Sequence, residues 1–399
     1  MNMNKIAFNI LTVPVLAVLA VSCGGQDEIY KEWAKKGGYD YPAKAINLSS
    51  VIGYQNVIVN WEKPMDPAVR TATLFWDNYA KSIDVDYADY PDGKVSIEVG
   101  ELEDRSYTFD IVNYDDVGNK SLAAEITVSP YGDGWMVSRS ERTVTSARME
   151  GRDAKIVMSK ATDEMIATRF RYKNLQDEWV ESETVLKPGE NEVTFKDAMK
   201  GKRFEYSSSF CPKAGKDTVW RTWTKSVDGI SYQIDGSRWN VTATNGQYFG
   251  INTPEKIFDG RYDRPAYSWH SSKSDNNKQA FPKILSVDTQ TSAGEEFAFT
   301  GFTFCENNTA ASLRYIKDYT IYVGSSYYNP DDADYQKNFG IPFIGGTLST
   351  SADQYSVNVT QGATGRYIAI VFKNSWNADD GFIDLWELIP YGYIPSLAD

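Results

Sequence analysis

Tyr107-Thr108-Phe109-Asp110-Ile111-Val112 alternates apolar and polar side chains before ending in two β-branched residues. In an extended chain successive side chains point to opposite faces, so such a stretch buries one face and wets the other. The same cadence extends outward from it. Upstream stand Asn56-Val57-Ile58-Val59-Asn60-Trp61 and Ala72-Thr73-Leu74-Phe75-Trp76. Downstream stand Lys155-Ile156-Val157-Met158, Thr168-Arg169-Phe170-Arg171-Tyr172 and Phe204-Glu205-Tyr206. Turn residues recur about every eight to twelve positions, a spacing of short strands that indicates sandwiches or barrels. No long amphipathic helix competes, the best short candidate being Glu28–Lys36. The expected fold class is all-β.

Composition narrows the function classes. A chain of 399 residues, 42% hydrophobic and 24% charged, is long enough for several domains and is not disordered as a whole. The net charge of −13 argues against a nucleic-acid partner, whose phosphates need a basic face. His270 is the only histidine, which excludes His-rich zinc centres and H-E-x-x-H proteases. Any Ser–His or Cys–His machinery would have to use it. Neither a G-x-S-x-G elbow nor a phosphate-binding glycine loop is present. With 54 acidic residues, carboxylate pairs arise by chance, and nothing in the sequence places two of them in one cleft. The expectation is a protein that binds and is not an enzyme.

The N-terminus reads as an address. Lys5 precedes Ile6–Val21, a mostly apolar run too short to span a bilayer, which takes about 20 residues. Leu19-Ala20-Val21-Ser22-Cys23-Gly24-Gly25 resembles a bacterial lipobox. Residues 1–22 are then a lipoprotein signal peptide, Cys23 the lipidated residue and 23–41 the tether. The alternative is an ordinary signal peptide with an accidental cysteine. Gly24-Gly25-Gln26-Asp27-Glu28 resembles the acidic tag of Bacteroidota lipoproteins sent to the outer face of the outer membrane. That resemblance implies a lipid-anchored protein facing the cell exterior. The other two cysteines, Cys211 and Cys305, lie in apolar or aromatic runs and read as buried small hydrophobes.

Residues 42–131 resemble a fibronectin type III domain. Trp61 sits where that family's core tryptophan stands, Tyr107 where its tyrosine corner ties back to the chain, and Gly118 in the following turn. Residues 132–227 repeat the design with weaker markers. Together the two domains resemble the N-terminal part of an uncharacterised Bacteroidota lipoprotein family. Trp179, Trp220 and Trp223 are either exposed stacking platforms or core residues. Residues 228–236, rich in Gly, Ser and Asp, read as a linker, and 393–399 as a C-terminal tail.

Residues 237–392 resemble a discoidin, or coagulation factor 5/8 type C, domain, a galactose-binding-like jelly roll. The resemblance runs through Trp239-Asn240-Val241-Thr242-Ala243, Ile257-Phe258-Asp259-Gly260, Trp269-His270, Phe281-Pro282-Lys283-Ile284 and Leu385-Trp386-Glu387-Leu388. Many relatives are family 32 carbohydrate-binding modules, so the resemblance implies a glycan ligand held at loops on one end. Aromatic faces stack on sugar C–H patches while planar polar groups read hydroxyls. On that logic the candidate ligand residues are Trp376 and Asn374 in Lys373-Asn374-Ser375-Trp376-Asn377, with His270, Arg314 and Tyr327 beside Tyr328 as further contacts. For His270 a loop-supporting role remains open. The competing class is a surface adhesin or structural subunit that binds another protein. An outer-membrane transporter complex is a further implied partner. The resemblance also implies a structural calcium held by Asp259, Asp263 and Glu387. Asp259 and Trp269 are ten positions apart, longer than the family usually has. A metal-free loop tied by Asp259–arginine contacts is the alternative.

Overall fold

The computed structural model describes residues 41–246, 248, 250–261, 268–271, 281–306, 315–349, 354–376 and 382–399. By contact it divides into two compact units, Met1–Gly132 and Asp133–Asp399. Nearly all regular structure is antiparallel β, in three sandwiches.

The first sandwich contains β1 (Ile46–Ile52), β2 (Val57–Glu62), β3 (Val69–Trp76), β4 (Lys81–Asp86), β5 (Lys94–Val99), β6 (Tyr107–Asp115) and β7 (Ala124–Val128). Its sheets run β1-β2-β5 and β4-β3-β6-β7, the fibronectin III order. The alternation of β2 and β6 puts Val57, Val59, Trp61, Phe109 and Ile111 into one core. Trp61 spends its only polar atom there, donating from Nε1 to the Tyr87 hydroxyl at 3.0 Å. Tyr87 donates in turn to Asn113 Oδ1 at 2.8 Å. The tyrosine corner forms as expected, the Tyr107 hydroxyl accepting from the Glu103 amide at 3.0 Å. Gly118 turns the chain at φ +86°, where a side chain would be strained.

The second sandwich contains β8 (Val144–Glu150), β9 (Asp153–Met158), β10 (Met165–Lys173), β11 (Trp179–Glu181), β12 (Glu192–Phe195), β13 (Glu205–Phe210), β14 (Val219–Trp220) and β15 (Thr224–Lys225). The order repeats as β12-β9-β8 and β11-β10-β13, with β14 and β15 both on β13. Along β10, Thr168, Phe170 and Tyr172 point inward while Arg169, Arg171 and Lys173 stay half-exposed. The buried Arg142 guanidinium is held by the Lys187, Glu190 and Ser159 carbonyls, which offset its desolvation.

The jelly roll adds β16 (Tyr232–Gln233), β17 (Asn240–Ala243), β18 (Trp269–His270), β19 (Lys283–Asp288), β20 (Phe297–Glu306), β21 (Asp318–Gly324), β22 (Ile344–Thr347), β23 (Gln354–Gly365), β24 (Tyr367–Phe372) and β25 (Asp384–Tyr393). One sheet runs β16-β25-β20-β23 with β18 also on β25, and the other β17-β19-β24-β21-β22. Trp239, Trp269, Phe299, Phe302, Phe304, Ile321, Ile370 and Leu385 fill the space between them. Cys305 is buried and its thiol is pushed up to about 12 by burial; Cys211 is half-buried, and both are free thiols.

Residues 228–236 are built into both neighbours, unlike a free linker. Ile230 belongs to the second sandwich's core. Ser231 donates from its amide to Ala147 O at 2.9 Å and accepts from the Met149 amide at 2.8 Å. From the next residue on, β16 pairs with β25. The Gly, Ser and Asp residues suggested a linker, but Ile230, Tyr232 and Ile234 between them pack against apolar neighbours. The C-terminal residues are docked as well: the Arg203 amide donates to Ala398 O at 2.8 Å, and Asp399 meets Arg203 and Lys225 at 3.1 Å each. No helix among the described residues is long and apolar enough to cross a membrane.

Candidate functional site

The jelly-roll register sorts the candidate residues. β21 pairs with β24 from Tyr319↔Phe372 at one end to Gly324↔Tyr367 at the other. Asn374 and Trp376 leave the Phe372 end, and His270 stands there too, because β18 pairs with the start of β25. Tyr327 follows Gly324 and lies at the opposite end, 53% exposed and edge-on to Tyr367. Tyr328 is buried among Tyr322, Tyr335 and Phe339, so it offers no stacking surface. Arg314, Asp263 and Cys23 fall outside the described residues, as does Asn377.

Trp376 is held at three points and still presents its ring. Its amide donates to Tyr315 O at 3.0 Å and its indole Nε1 to Leu348 O at 3.0 Å. Lys317 Nζ sits 4.7 Å from the ring centroid. The side chain remains 42% exposed, a fixed aromatic ledge in solvent. Next to it Ser375 is buried and bridges Ile316. Underneath, Glu306 Oε1 accepts from the Ile316 amide at 2.7 Å and anchors that loop. Burial pushes the Glu306 carboxyl up to about 8.

Asn374 is engaged within the fold. Its Oδ1 accepts from the Asp318 amide at 2.9 Å and its Nδ2 donates to Asp318 Oδ2 at 2.8 Å. Hydrogen bonds from Thr347 and then Asn374 hold the Asp318 carboxyl below its usual range. The amide therefore sets the base of the ledge. His270 is only 8% exposed, packed on Phe382 with ring centroids 5.3 Å apart and Nε2 at 3.8 Å from Asp384. That is the environment of a loop-supporting histidine. Lys317, Asp318 and Glu306 complete the ledge, and sequence reading did not single them out. Their positions depend on β21 and β24 being neighbours, which no local motif announces.

Asp259 and Glu387 do come together, beside a cavity of about 350 Å³ that Asp235 also lines. Glu387 is buried, its Oε1 accepting from the Gly260 amide at 3.2 Å while Oε2 has no hydrogen-bond partner among the described residues. Burial first, and the Asp259 charge less so, push its carboxyl up to about 8. Asp259 accepts from the Arg261 amide at 2.9 Å, and Lys256 Nζ stands 3.8 Å away. No group of three or more His, Cys, Asp or Glu side chains able to hold a metal is assembled among the described residues. The pair itself is oxygen-only, as calcium requires.

A family model described as a domain of unknown function, DUF4998, matches residues 23–217. No curated protein sequence matches the chain. Among solved structures, the chain is similar to the family 32 carbohydrate-binding module from C. perfringens NanJ in complex with galactose. The identity is 18% and the TM-score 0.32, over 41% of this chain and 99% of that one. It is similar to a SusE-like protein at 10% identity and TM-score 0.29, over 87% and 97%. A two-domain fibronectin type III segment from chicken tenascin matches at 10% identity and TM-score 0.20, over 46% and 99%.

Proposed function

We propose that the protein is a non-catalytic, lipid-anchored surface protein of the outer membrane that binds carbohydrate at the loop end of its jelly roll. It would act as an accessory to polysaccharide capture. One observation carries the reading: Trp376 is locked by its backbone and indole nitrogen, yet leaves 42% of its surface in water. A large aromatic fixed in solvent contributes little to folding and suits stacking on a sugar face. Lys317 beside the ring, and any groups of the flanking loops, would read hydroxyls. A lipid on Cys23 would anchor the chain at the membrane, where an outer-membrane transporter is a fitting partner. The test is a glycan array probed with the mature chain and with Trp376→Ala. Saccharide signals that vanish in the variant support the reading. Absence of any signal, with a membrane protein co-purifying, favours the adhesin alternative. For the anchor, Cys23→Ala should release the protein in soluble form.

A structural calcium at Asp259 and Glu387 belongs to the same proposal. The buried Glu387 oxygen, without a partner among the described residues, is what a hard cation would satisfy, and the ion would hold the Asp259–Gly260 turn against β25. A ligand bound only by the folded state raises the melting temperature by mass action. An equal melting curve in EDTA and in millimolar calcium would remove the metal from the account.

A further inference from the structure

The outer face of the second sandwich carries a ladder of alternating indoles and cations. Arg169 lies 4.5 Å from the Trp220 ring centroid and 4.7 Å from that of Trp223. Arg171 stands 4.7 Å from Trp223 and 5.4 Å from Trp179, and Lys173 follows 5.4 Å from Trp179. The order arises from β10, whose period-two alternation sends residues 169, 171 and 173 to one face. Both ends reach solvent, Trp179 being 45% and Trp220 37% exposed.

The cations differ in what they hold. Arg171 grips Glu205 through Nε at 2.6 Å and an NH2 group at 2.5 Å. Lys173 pairs with Asp177 at 3.2 Å. The Arg169 guanidinium has neither a hydrogen bond nor an ion pair to another described residue. The cross-strand position that gives Arg171 its Glu205 gives Arg169 only Ser207, whose hydroxyl donates to Arg221 O at 2.7 Å. The Arg169 Nε is covered and has no partner among the described residues, so the terminal NH2 groups are the ones left to bind. A guanidinium oriented by two indoles, and without its own acid, is half of a bidentate pair with a carboxylate.

We infer that this ladder is a second binding surface, separate from the jelly-roll ledge, for an acidic saccharide. A uronate carboxylate would lie on the Arg169 fork and its sugar ring on Trp220. The planar carboxylate matches the planar fork, and the C–H face of the ring matches the exposed indole. Within a chain of net charge −13, the ladder is where an anionic chain meets a cation that no acid among the described residues neutralises.

The test uses the mature chain and polygalacturonate, with the methyl-esterified polymer as the uncharged control, in affinity electrophoresis or calorimetry. The acid form should bind at least about tenfold more tightly than the ester, and raising salt should weaken it. Arg169→Gln and Trp220→Ala should each lose about tenfold in affinity, Arg169→Lys less, since it keeps the charge without the fork. Trp376→Ala should leave this binding unchanged, which separates it from the jelly-roll reading. If Arg169→Gln also lowers the melting temperature, the ester comparison and Arg169→Lys decide. Equal binding of acid and ester, no binding of the acid form, or full affinity in a folded Arg169→Gln variant would each overturn the proposal.

Discussion

The two fibronectin-like sandwiches have the same strand order and put their tryptophans on opposite sides of it. The first buries Trp61 completely and spends its indole nitrogen on Tyr87 inside the core. The second keeps Trp179, Trp220 and Trp223 on the outer face, interleaved with Arg169 and Arg171. Strand order determines which face is inner and which outer, but the residues placed there are a separate choice. A buried indole is part of what holds the fold, whereas an exposed one marks a surface available for contact. Shared fold thus separates from function within one chain.

The sharpest break would come from Trp61→Ala, which should cost about 3–5 kcal/mol of first-sandwich stability, as for a large aromatic removed from a core. Trp220→Ala should cost less than about 1 kcal/mol by the same denaturant titration, as surface changes do. Similar costs would erase the distinction. Next in size is Tyr87→Phe, which strands the Trp61 indole N–H and Asn113 Oδ1 in the core and should cost about 1–3 kcal/mol. Its counterpart Tyr172→Phe, whose half-buried hydroxyl donates to Lys196 O at 2.9 Å, should cost only about 0.5–1.5 kcal/mol.

Titration sets the first sandwich against the jelly roll. In the sandwich, Asp66 is held below its usual range chiefly by the Ala43 amide and Asp77 chiefly by Arg105. These groups lose stabilisation as the pH falls through their folded pKa values. In the jelly roll, Glu306 ionises near 8 in place of 4.5, so between those values the folded chain holds the proton that the unfolded chain has released. Its contribution therefore falls as pH rises through that window and levels off above about 8. Melting followed across pH should show this slope, and Glu306→Gln should flatten it, leaving the part due to Glu387. An unchanged slope in the variant would mean that Glu306 is solvated. The smallest effect is expected at Asp399, whose pairs with Arg203 and Lys225 are largely in water. Asp399→Asn should leave the melting temperature of the second unit essentially unchanged.

What could be read from the sequence was whatever is local. The period-two runs, the Tyr107 corner and the Gly118 turn each lie within a few residues, and each is present. Trp376 stood out because an indole among amides in a turn is unusual, and it is exposed. Residues joined across distance were not legible. Asn374 looked like a free amide until β21 and β24 brought Asp318 to it. The ladder depends on Trp179 from β11 and Trp220 and Trp223 from the β14–β15 stretch meeting over the β10 arginines. Only the Thr168-Arg169-Phe170-Arg171-Tyr172 alternation hinted that those arginines share a face. Gly and Ser in 228–236 suggested freedom, while Ile230 carries the chain into a core.

The most direct measurement is calorimetric titration of the strongest array saccharide into the wild-type chain, Trp376→Ala and Trp220→Ala, each with an unchanged melting curve. The account predicts at least about a tenfold loss of affinity in Trp376→Ala, in line with a lost stacking partner at a binding centre, and wild-type affinity in Trp220→Ala for a neutral saccharide. Equal affinity in wild type and Trp376→Ala would contradict it.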